Sequence, residues 1–318
     1  MPHASVKDHK LGGEHAFIDW IKRRVPKSSR MTLGPGDDAA IVAWADFPYD
    51  CVATTDMLLD GSCFRLEEAG PLRVGRKSMA VNLSDIAAMA ARPVAALVSV
   101  GLPRKGGRHL AEKLFAGMQQ MAELFQVPIV GGDTNSWNGP LVISVTLLGE
   151  VTDRGAVKRS GARPGDWLIT TGPLGGSILS KHLDFLPRVP EALELHRAVP
   201  IHAMIDISDG LARDLHQLCK ASSCGAILQA DRIPISRDAE KLALTSGQTP
   251  LEHALGDGED FELLMAIPES HARKLIDIQP LAGVELHCIG TFVDEGVWID
   301  HGDGPQPLAP LGYDHTLA

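Results

Sequence analysis

Hydrophobic and polar residues alternate along this chain with two spacings, one typical of helices and one typical of short strands. In the first half, helical spacing predicts helices over residues 14–25, 71–91 and 108–125. Short apolar runs predict strands over residues 39–44, 51–55, 94–100, 127–130 and 141–151. Because the first two strands follow each other closely, we expect an antiparallel or mixed sheet.

The second half is separated from the first by a polar, glycine-containing segment over residues 152–165. We therefore predict a domain boundary near residue 151, with an N-terminal domain over 1–151 and a C-terminal domain over 152–318. Strands are predicted over 167–170, 204–207, 226–228 and 261–267, with helices between them, and a terminal hairpin over 287–293 and 297–300. Interleaved strands and helices indicate an α/β or α+β fold.

Composition and charge narrow the class of protein. Hydrophobic residues make up 44% of the chain and charged residues 22%, as in ordinary soluble proteins. The net charge of −10 argues against non-specific binding of nucleic acid, which needs a basic surface. No apolar run approaches the roughly 18 residues of a membrane span, and the polar N-terminal segment does not resemble a signal peptide. Since the five cysteines are irregularly spaced and form no CxxC pair, we expect a cytoplasmic protein.

Acidic residues recur beside small residues where predicted strands meet turns. The segments are 34–40, 54–56, 82–85, 131–135, 206–210 and 256–260. A polar turn next to a buried strand holds carboxylates rigidly at the rim of a core, and Gly34 and Gly36 permit backbone angles that other residues avoid. We therefore expect the fold to gather these acids.

Six of these carboxylates and two threonines form a candidate metal site. They are Asp38, Thr54, Thr55, Asp56, Asp85, Asp133, Asp206 and Asp209. Oxygen ligands without paired histidines and cysteines favour Mg²⁺ or Mn²⁺. Two carboxylates about 4 Å apart repel by roughly 4 kcal/mol at an effective dielectric constant of about 20, so their convergence requires cations or protons.

A simpler interpretation exists for each acid taken singly, because aspartate commonly caps turns and helices. Asp85 lies about 200° from Leu83 on a helical wheel, away from the apolar stripe, which favours a solvated position on a surface helix. The common phosphate motifs are missing, since the chain has neither a P-loop nor a protein-kinase H-R-D loop. The glycine-rich segment 172–176 could hold phosphate on its N–H groups or could be a tight turn.

Taken together and in order, the acidic motifs resemble the thiamine-monophosphate kinase family, of the ATP-binding superfamily that includes aminoimidazole ribonucleotide synthetase. The matching segments are GPGDDAA (34–40), TTD (54–56), AVNLSDIAA (80–88), GGDT (131–134), RSG (159–161) with PGD (164–166), DISDGL (206–211), GEDFEL (258–263) and GYD (312–314). They run through nearly the whole chain.

The resemblance implies two α/β domains: an N-terminal mixed-sheet domain for ATP binding and homodimer formation, and a C-terminal domain of the aminoimidazole ribonucleotide synthetase type. It implies ATP-dependent phosphorylation of thiamine monophosphate to the diphosphate, with ATP and Mg²⁺ as cofactors. The acceptor phosphate is already anionic near neutral pH, so direct in-line transfer needs no strong general base.

The resemblance also implies roles for single residues. The metal ligands would be the eight residues of the candidate site, of which Asp56, Asp133 and Asp209 would be catalytic. ATP would contact Gly132, Asp133, Arg159 and Ser208. The acceptor would face Glu259, Cys63 and Tyr313.

Two positions on the acceptor side depart from the family pattern. Cys63 stands where the family commonly has a histidine, and Pro310-Leu311 stands where it tends to carry an aromatic residue. Tyr313 could supply the missing ring. Two alternatives therefore stay open: a related ATP-dependent enzyme with a different acceptor, and a nucleotide-binding homologue without turnover.

Overall fold

The structure is a computed structural model that describes residues 31–34, 36–43, 50–105 and 107–314. The helix predicted over 14–25 and the end of the strand predicted over 39–44 lie outside the described residues. The described chain forms two sheets, each with its own helices.

The first sheet has six strands. They are β1 (Met31–Leu33), β2 (Ala40–Val42), β3 (Cys51–Leu59), β4 (Arg92–Pro103), β5 (Ile129–Trp137) and β6 (Val142–Glu150). The spatial order is β1-β2-β3-β6-β4-β5. The pair β4–β5 is parallel and the other pairs are antiparallel, so the predicted mixed sheet is confirmed.

Helices α1 (Leu66–Ala88) and α2 (Gly107–Leu124) contact this sheet on the face where Val52, Leu58 and Ile143 are buried. The helices approach each other closely because glycines lie at their crossing. A Cβ at Gly75 of α1 would lie 2.1 Å from the carbonyl oxygen of Leu114. A Cβ at Gly117 of α2 would likewise lie 2.0 Å from the carbonyl oxygen of Leu72. The opposite face of the sheet is exposed along β5.

The second sheet has seven strands in the order β13-β12-β9-β11-β7-β10-β8. The strands are β7 (Asp166–Thr171), β8 (Ala203–Asp206), β9 (Gly225–Gln229), β10 (Leu263–Pro268), β11 (Leu286–Val293), β12 (Val297–Asp300) and β13 (Pro305–Pro307). The helices are α3 (Lys181–Asp184), α4 (Val189–Ala198), α5 (Leu211–Ser222), α6 (Arg237–Ser246), α7 (Pro250–Gly256) and α8 (Glu269–Ile278), with 3-10 turns at Ser177–Leu179 and Ala230–Arg232.

The predicted terminal hairpin is wrong, because β9 lies between β11 and β12 and pairs with both. The short connection from β11 to β12 passes over the start of β9, where the Ala226 N–H donates to the Gly296 carbonyl at 2.9 Å. Gly225 allows this approach, since a Cβ there would lie 2.1 Å from the same oxygen. A contact of this kind leaves no periodic signal in the sequence.

The first domain's helix α1 is enclosed almost completely from Val74 to its end, because α3, α4 and β8 of the second domain cover the side that the sheet leaves open. The solvated surface helix expected around Asp85 is therefore wrong. The predicted class of two α/β domains, the first with a mixed sheet, is confirmed, and the second sheet is mixed as well because β9 and β12 are parallel. Within the described residues, none of the helices has the length and apolar character needed to cross a bilayer.

Candidate active site

A pocket of about 520 Å³ lies between the two domains. The first domain contributes the turn before β2, strand β3, the loop that follows β3, and one side of α1. The segment between the two sheets contributes Arg159, and the second domain contributes the loop between β8 and α5, the side chains of Asp257, Glu259 and Phe261, and Tyr313. The pocket therefore exists only when both domains are in place.

Three carboxylates from separate parts of the chain meet in this pocket. Oxygen atoms of Asp38, Asp85 and Asp206 lie within 4.8 Å of one another. Asp38 belongs to the turn before β2, Asp85 to the last turn of α1, and Asp206 ends β8. The hydroxyl of Thr54 donates a hydrogen bond to Asp85, and the hydroxyl of Ser84 donates one to Asp206.

The cluster carries more negative charge than its surroundings compensate. Burial, together with the neighbouring Asp56 and Asp206 charges, raises the pKa of Asp85 well above its usual value. Burial and the charge of Asp38 do the same to the pKa of Asp206. Protons or a cation must therefore offset the repulsion, which is the condition expected of an oxygen-lined site for a divalent cation.

Arg159 is a cation that lies beside the cluster. Its guanidinium group binds Asp38 through two nitrogens, at 2.6 and 2.9 Å. Its backbone N–H donates to the carboxylate of Asp37 at 3.1 Å. Burial and the nearby Asp38 charge raise the pKa of Asp37 to about 6.

Strand β3 divides its candidate residues between two faces. Thr54 and Asp56 share the face of Val145 and Leu147, which α1 covers, so both approach the cluster. Thr55 lies on the other face, where its hydroxyl donates to the carbonyl of Val145 at 3.1 Å. The strand predicted to end before Asp56 continues to Leu59, so Asp56 lies within it.

Gly132 and Asp133 do not line the pocket of this chain. Both lie within β5, an exposed edge strand, whereas the sequence had placed Asp133 just past a strand ending at residue 130. That boundary is wrong, because β5 continues alongside β4 to Trp137. Strands β6 and β4 separate β5 from β3. Asp133 therefore lies three strand spacings, or about 14 Å, from β3 across the sheet.

The loop between β8 and α5 carries Ser208 and Asp209 into the pocket. Asp214 holds this loop, because its Oδ2 accepts the N–H groups of Asp209 at 3.0 Å and Gly210 at 3.1 Å. Burial raises the pKa of Asp214, and the charges of Asp209 and Asp206 add to that shift. Sequence reasoning missed Asp214, although an aspartate in the first turn of a helix is a recognisable signal.

The three residues assigned to the acceptor all line the same pocket. The pocket contains Glu259, Cys63 and Tyr313, and the Tyr313 N–H donates to the carbonyl of Asp209 at 2.9 Å. A buried lysine, Lys77, connects the first two, since its Nζ donates to Glu259 Oε1 at 2.6 Å and to the Cys63 carbonyl at 2.7 Å. Sequence reasoning assigned this lysine no role in the site.

The glycine-rich segment 172–176 is irregular in this structure, with an isolated bridge between Leu174 and Ile235. The N–H of Gly175 donates to Asp260 at 2.9 Å, and the N–H of Gly176 donates to Asp257 at 2.7 Å. The chain's own carboxylates thus occupy the donors that a phosphate would need. Burial raises the pKa of Asp260 to about 7.

Comparison with known families gives two matches that together span most of the chain. Residues 36–151 match the family described as AIR synthase related protein, N-terminal domain. Residues 163–299 match AIR synthase related protein, C-terminal domain. The first match contains Asp38 and Asp85, and the second contains Asp206.

Two of the similar curated proteins are thiamine-monophosphate kinases. The one from Rhodopirellula baltica is 43% identical over 292 residues, which cover 90% of this chain and 91% of that protein. The one from Mycobacterium tuberculosis is 37% identical over 286 residues, which cover 82% and 85%. A solved structure described as AaThiL complexed with AMPPCP and TMP is similar over 98% of this chain and 100% of its own, with a TM-score of 0.83 and 28% identity.

Proposed function

The chain belongs to the thiamine-monophosphate kinase family, and we propose that it transfers a phosphoryl group from ATP to thiamine monophosphate, forming thiamine diphosphate and ADP. The main support for this proposal is that both domains contribute carboxylates to one cleft, where Asp38, Asp85 and Asp206 lie close together. The cleft has the volume of a small-molecule site. The ATP analogue and TMP named for the similar solved structure support this pair of substrates.

The residues present fit Mg²⁺. The donors are all oxygen atoms, they converge from three chain segments, and two of the three carboxyl groups have raised pKa values that a divalent cation would reverse. Asp38, Asp85 and Asp206 would hold the metal, with Thr54, Asp56 and Asp209 beside them. Bound Mg²⁺ would neutralise phosphate oxygens that the acidic wall would otherwise repel.

The chain's own residues would orient the reactants. Arg159 and Ser208 line the pocket next to the acid cluster, where they can contact the nucleotide phosphates. An oxygen of the acceptor phosphate would form the new bond to phosphorus as the bond to ADP breaks, in line. Because that oxygen is already anionic, alignment and charge compensation replace a general base.

We also propose a homodimer formed through the exposed face of the first sheet. Apolar side chains on β3, β4 and β5 lie open there, with Met57 61%, Leu97 41% and Trp137 46% exposed. A dimer would cover them and would let Gly132 and Asp133 join the pocket of the partner chain. A cytoplasmic location is proposed with it, on the absence of CxxC pairs from the sequence.

The direct test is an assay of the purified protein with ATP, Mg²⁺ and thiamine monophosphate, scored for thiamine diphosphate. Asp133→Asn should nearly abolish turnover without unfolding the protein. Mixing Asp133→Asn with Asp206→Asn should restore activity if each site takes residues from two chains. No restoration, with dimers shown to exchange subunits, would contradict the shared site.

A different acceptor is the second candidate, favoured by Cys63 and Pro310-Leu311 on the acceptor side. It predicts ATP binding without thiamine diphosphate formation, and ATP turnover when the true acceptor is supplied. A homologue that only binds nucleotide would show no turnover with any acceptor. If the protein still binds ATP in a Mg²⁺-dependent way but forms no thiamine diphosphate, one of these two alternatives replaces the proposed function.

A further inference from the structure

Lys77 lies in the middle of α1 with only 1% of its side chain exposed, yet its ammonium group reaches the pocket wall. An ammonium group removed from water loses its hydration, so the fold must compensate it with well-placed partners. The two partners come from different domains. Glu259 Oε1, at 2.6 Å, belongs to the second domain, and the Cys63 carbonyl, at 2.7 Å, belongs to the loop after β3 in the first.

The backbone of Glu259 is fixed independently. Its φ of +53° lies in the left-handed region, which is costly for a residue other than glycine. The Glu259 N–H donates to the Ser208 carbonyl at 2.7 Å, and the Phe261 N–H donates to the Ile207 carbonyl at 2.8 Å. The loop that carries Asp209 therefore holds the Glu259 backbone, while Lys77 holds its carboxylate.

We propose that Lys77 is a positioning residue for the phosphoryl acceptor. It fixes the Glu259 carboxylate and the Cys63 loop in one arrangement and so shapes the acceptor end of the pocket before the substrate arrives. This inference rests on the proposed function, in which both partners face the acceptor. A fixed carboxylate suits an acceptor that carries an organic cation, as thiamine monophosphate does.

A purely structural role would be to join the two domains. Arg73 provides the matched case, because it lies one turn earlier on α1 and pairs with Asp184 of the second domain, its Nε at 2.9 Å. This pair is partly exposed and lies outside the pocket lining. If Lys77 only joined the domains, replacing it or Arg73 would change the KM for thiamine monophosphate and the KM for ATP to a similar extent.

The experiment measures KM for thiamine monophosphate and for ATP in Lys77→Met, Lys77→Arg and Arg73→Met. Lys77→Met should raise the KM for thiamine monophosphate by about tenfold or more and change the KM for ATP by less than about threefold. Lys77→Arg should recover part of the loss because it keeps the charge. Arg73→Met should leave both constants within about twofold of the wild type.

A double-mutant cycle tests whether Lys77 acts through Glu259. In a Glu259→Gln background, Lys77→Met should add less than about threefold to the KM for thiamine monophosphate, because the carboxylate it positions is already gone. The full tenfold effect in that background would overturn the inference, as would equal rises in KM for both substrates. If Lys77→Met does not fold, Lys77→Arg and Glu259→Gln alter the same ion pair and carry the same test.

Failure of this inference can be told apart from failure of the proposed function. Wild-type protein that makes no thiamine diphosphate refutes the proposed function and this inference with it. Wild-type turnover combined with an unchanged acceptor KM in Lys77→Met refutes this inference alone. Circular dichroism and thermal unfolding of each variant establish that the constants come from folded protein.

Discussion

Asp206→Asn should separate the stability of the empty pocket from its ability to bind a divalent cation. Oxygen atoms of the three clustered carboxylates lie within 4.8 Å of one another, so each charged pair repels by about 3.5 kcal/mol or more at an effective dielectric constant of about 20. The substitution removes the charge and keeps an oxygen that accepts the Ser84 hydrogen bond. Since protons and Arg159 already offset part of the repulsion, we expect a gain of only about 1–2 kcal/mol in EDTA.

The same substitution should remove the response to Mg²⁺. A ligand at about 100 times its Kd stabilises the folded state by about 2.7 kcal/mol. For a chain of this size that corresponds to a rise in Tm of roughly 4 °C. Wild-type protein should show this rise between EDTA and about 10 mM MgCl₂, whereas Asp206→Asn should show little of it.

The assay is thermal unfolding followed by circular dichroism, with KCl at matched ionic strength to remove general screening. Asp260→Asn is the matched control, because Asp260 is also a buried carboxyl group with a raised pKa but lies outside the cluster. It should keep the full Mg²⁺ response. An Asp206→Asn variant with the wild-type Mg²⁺ shift would refute the reasoning, and so would a large loss of stability in EDTA.

Burial raises the pKa of Asp260 to about 7, which predicts that the protein's stability depends on pH. The stability that the protonated Asp260 contributes is complete below its usual pKa of 3.8 and is lost as pH rises through about 7. In Asp260→Asn, the free energy of unfolding measured by urea titration should fall by up to about 4 kcal/mol less over this pH range than in the wild type, and an equal fall in both proteins would contradict this. Glu262→Ala should cost about 2–3 kcal/mol, because the buried Glu262 carboxylate accepts charge-assisted hydrogen bonds from two half-buried cations, Lys181 and Arg188. Glu269→Ala, which breaks an exposed pair, should cost less than about 1 kcal/mol, and similar costs for both variants in denaturant unfolding would argue against a role for the Glu262 contacts. Gly132→Ala should destabilise by about 3 kcal/mol or more, since its Cβ would lie 1.7 Å from a carbonyl oxygen of β4, and Gly107→Ala, with no neighbour within 4 Å, should stay near the wild-type Tm; equal Tm values for both variants would contradict the packing.

Much of the fold was readable from local patterns. The spacing of apolar residues located α2 to within a residue of its observed bounds, and the buried run before Asp206 located β8. The helix α7 was missed, although Thr249 and Glu252 form a capping box around Pro250 and gave a sequence signal for it. Such elements are predictable because their causes lie within a few residues of each other.

The candidate site was readable only as a set of residue types. The recurrence of aspartates beside small residues pointed to Asp38 and Asp206, and the structure brings them together. Helical periodicity predicted a solvated position for Asp85, which is wrong. Periodicity shows which side of a helix is apolar, but it does not show that a second domain covers the other side. Asp133 shows the converse, since its motif matches the family while its strand leaves it outside the pocket of its own chain.

The sequence by itself determined most of the elements, the two-domain α/β class and the chemistry of the acids, because each depends on short-range spacing and on side-chain type. Only the tertiary structure decided which acids meet and that β9 lies between β11 and β12. It also decided that Lys77 donates a hydrogen bond to Glu259, which lies 182 positions away in the chain. Contacts of this range depend on how whole elements pack, and packing is fixed by the shape and burial of all neighbours together.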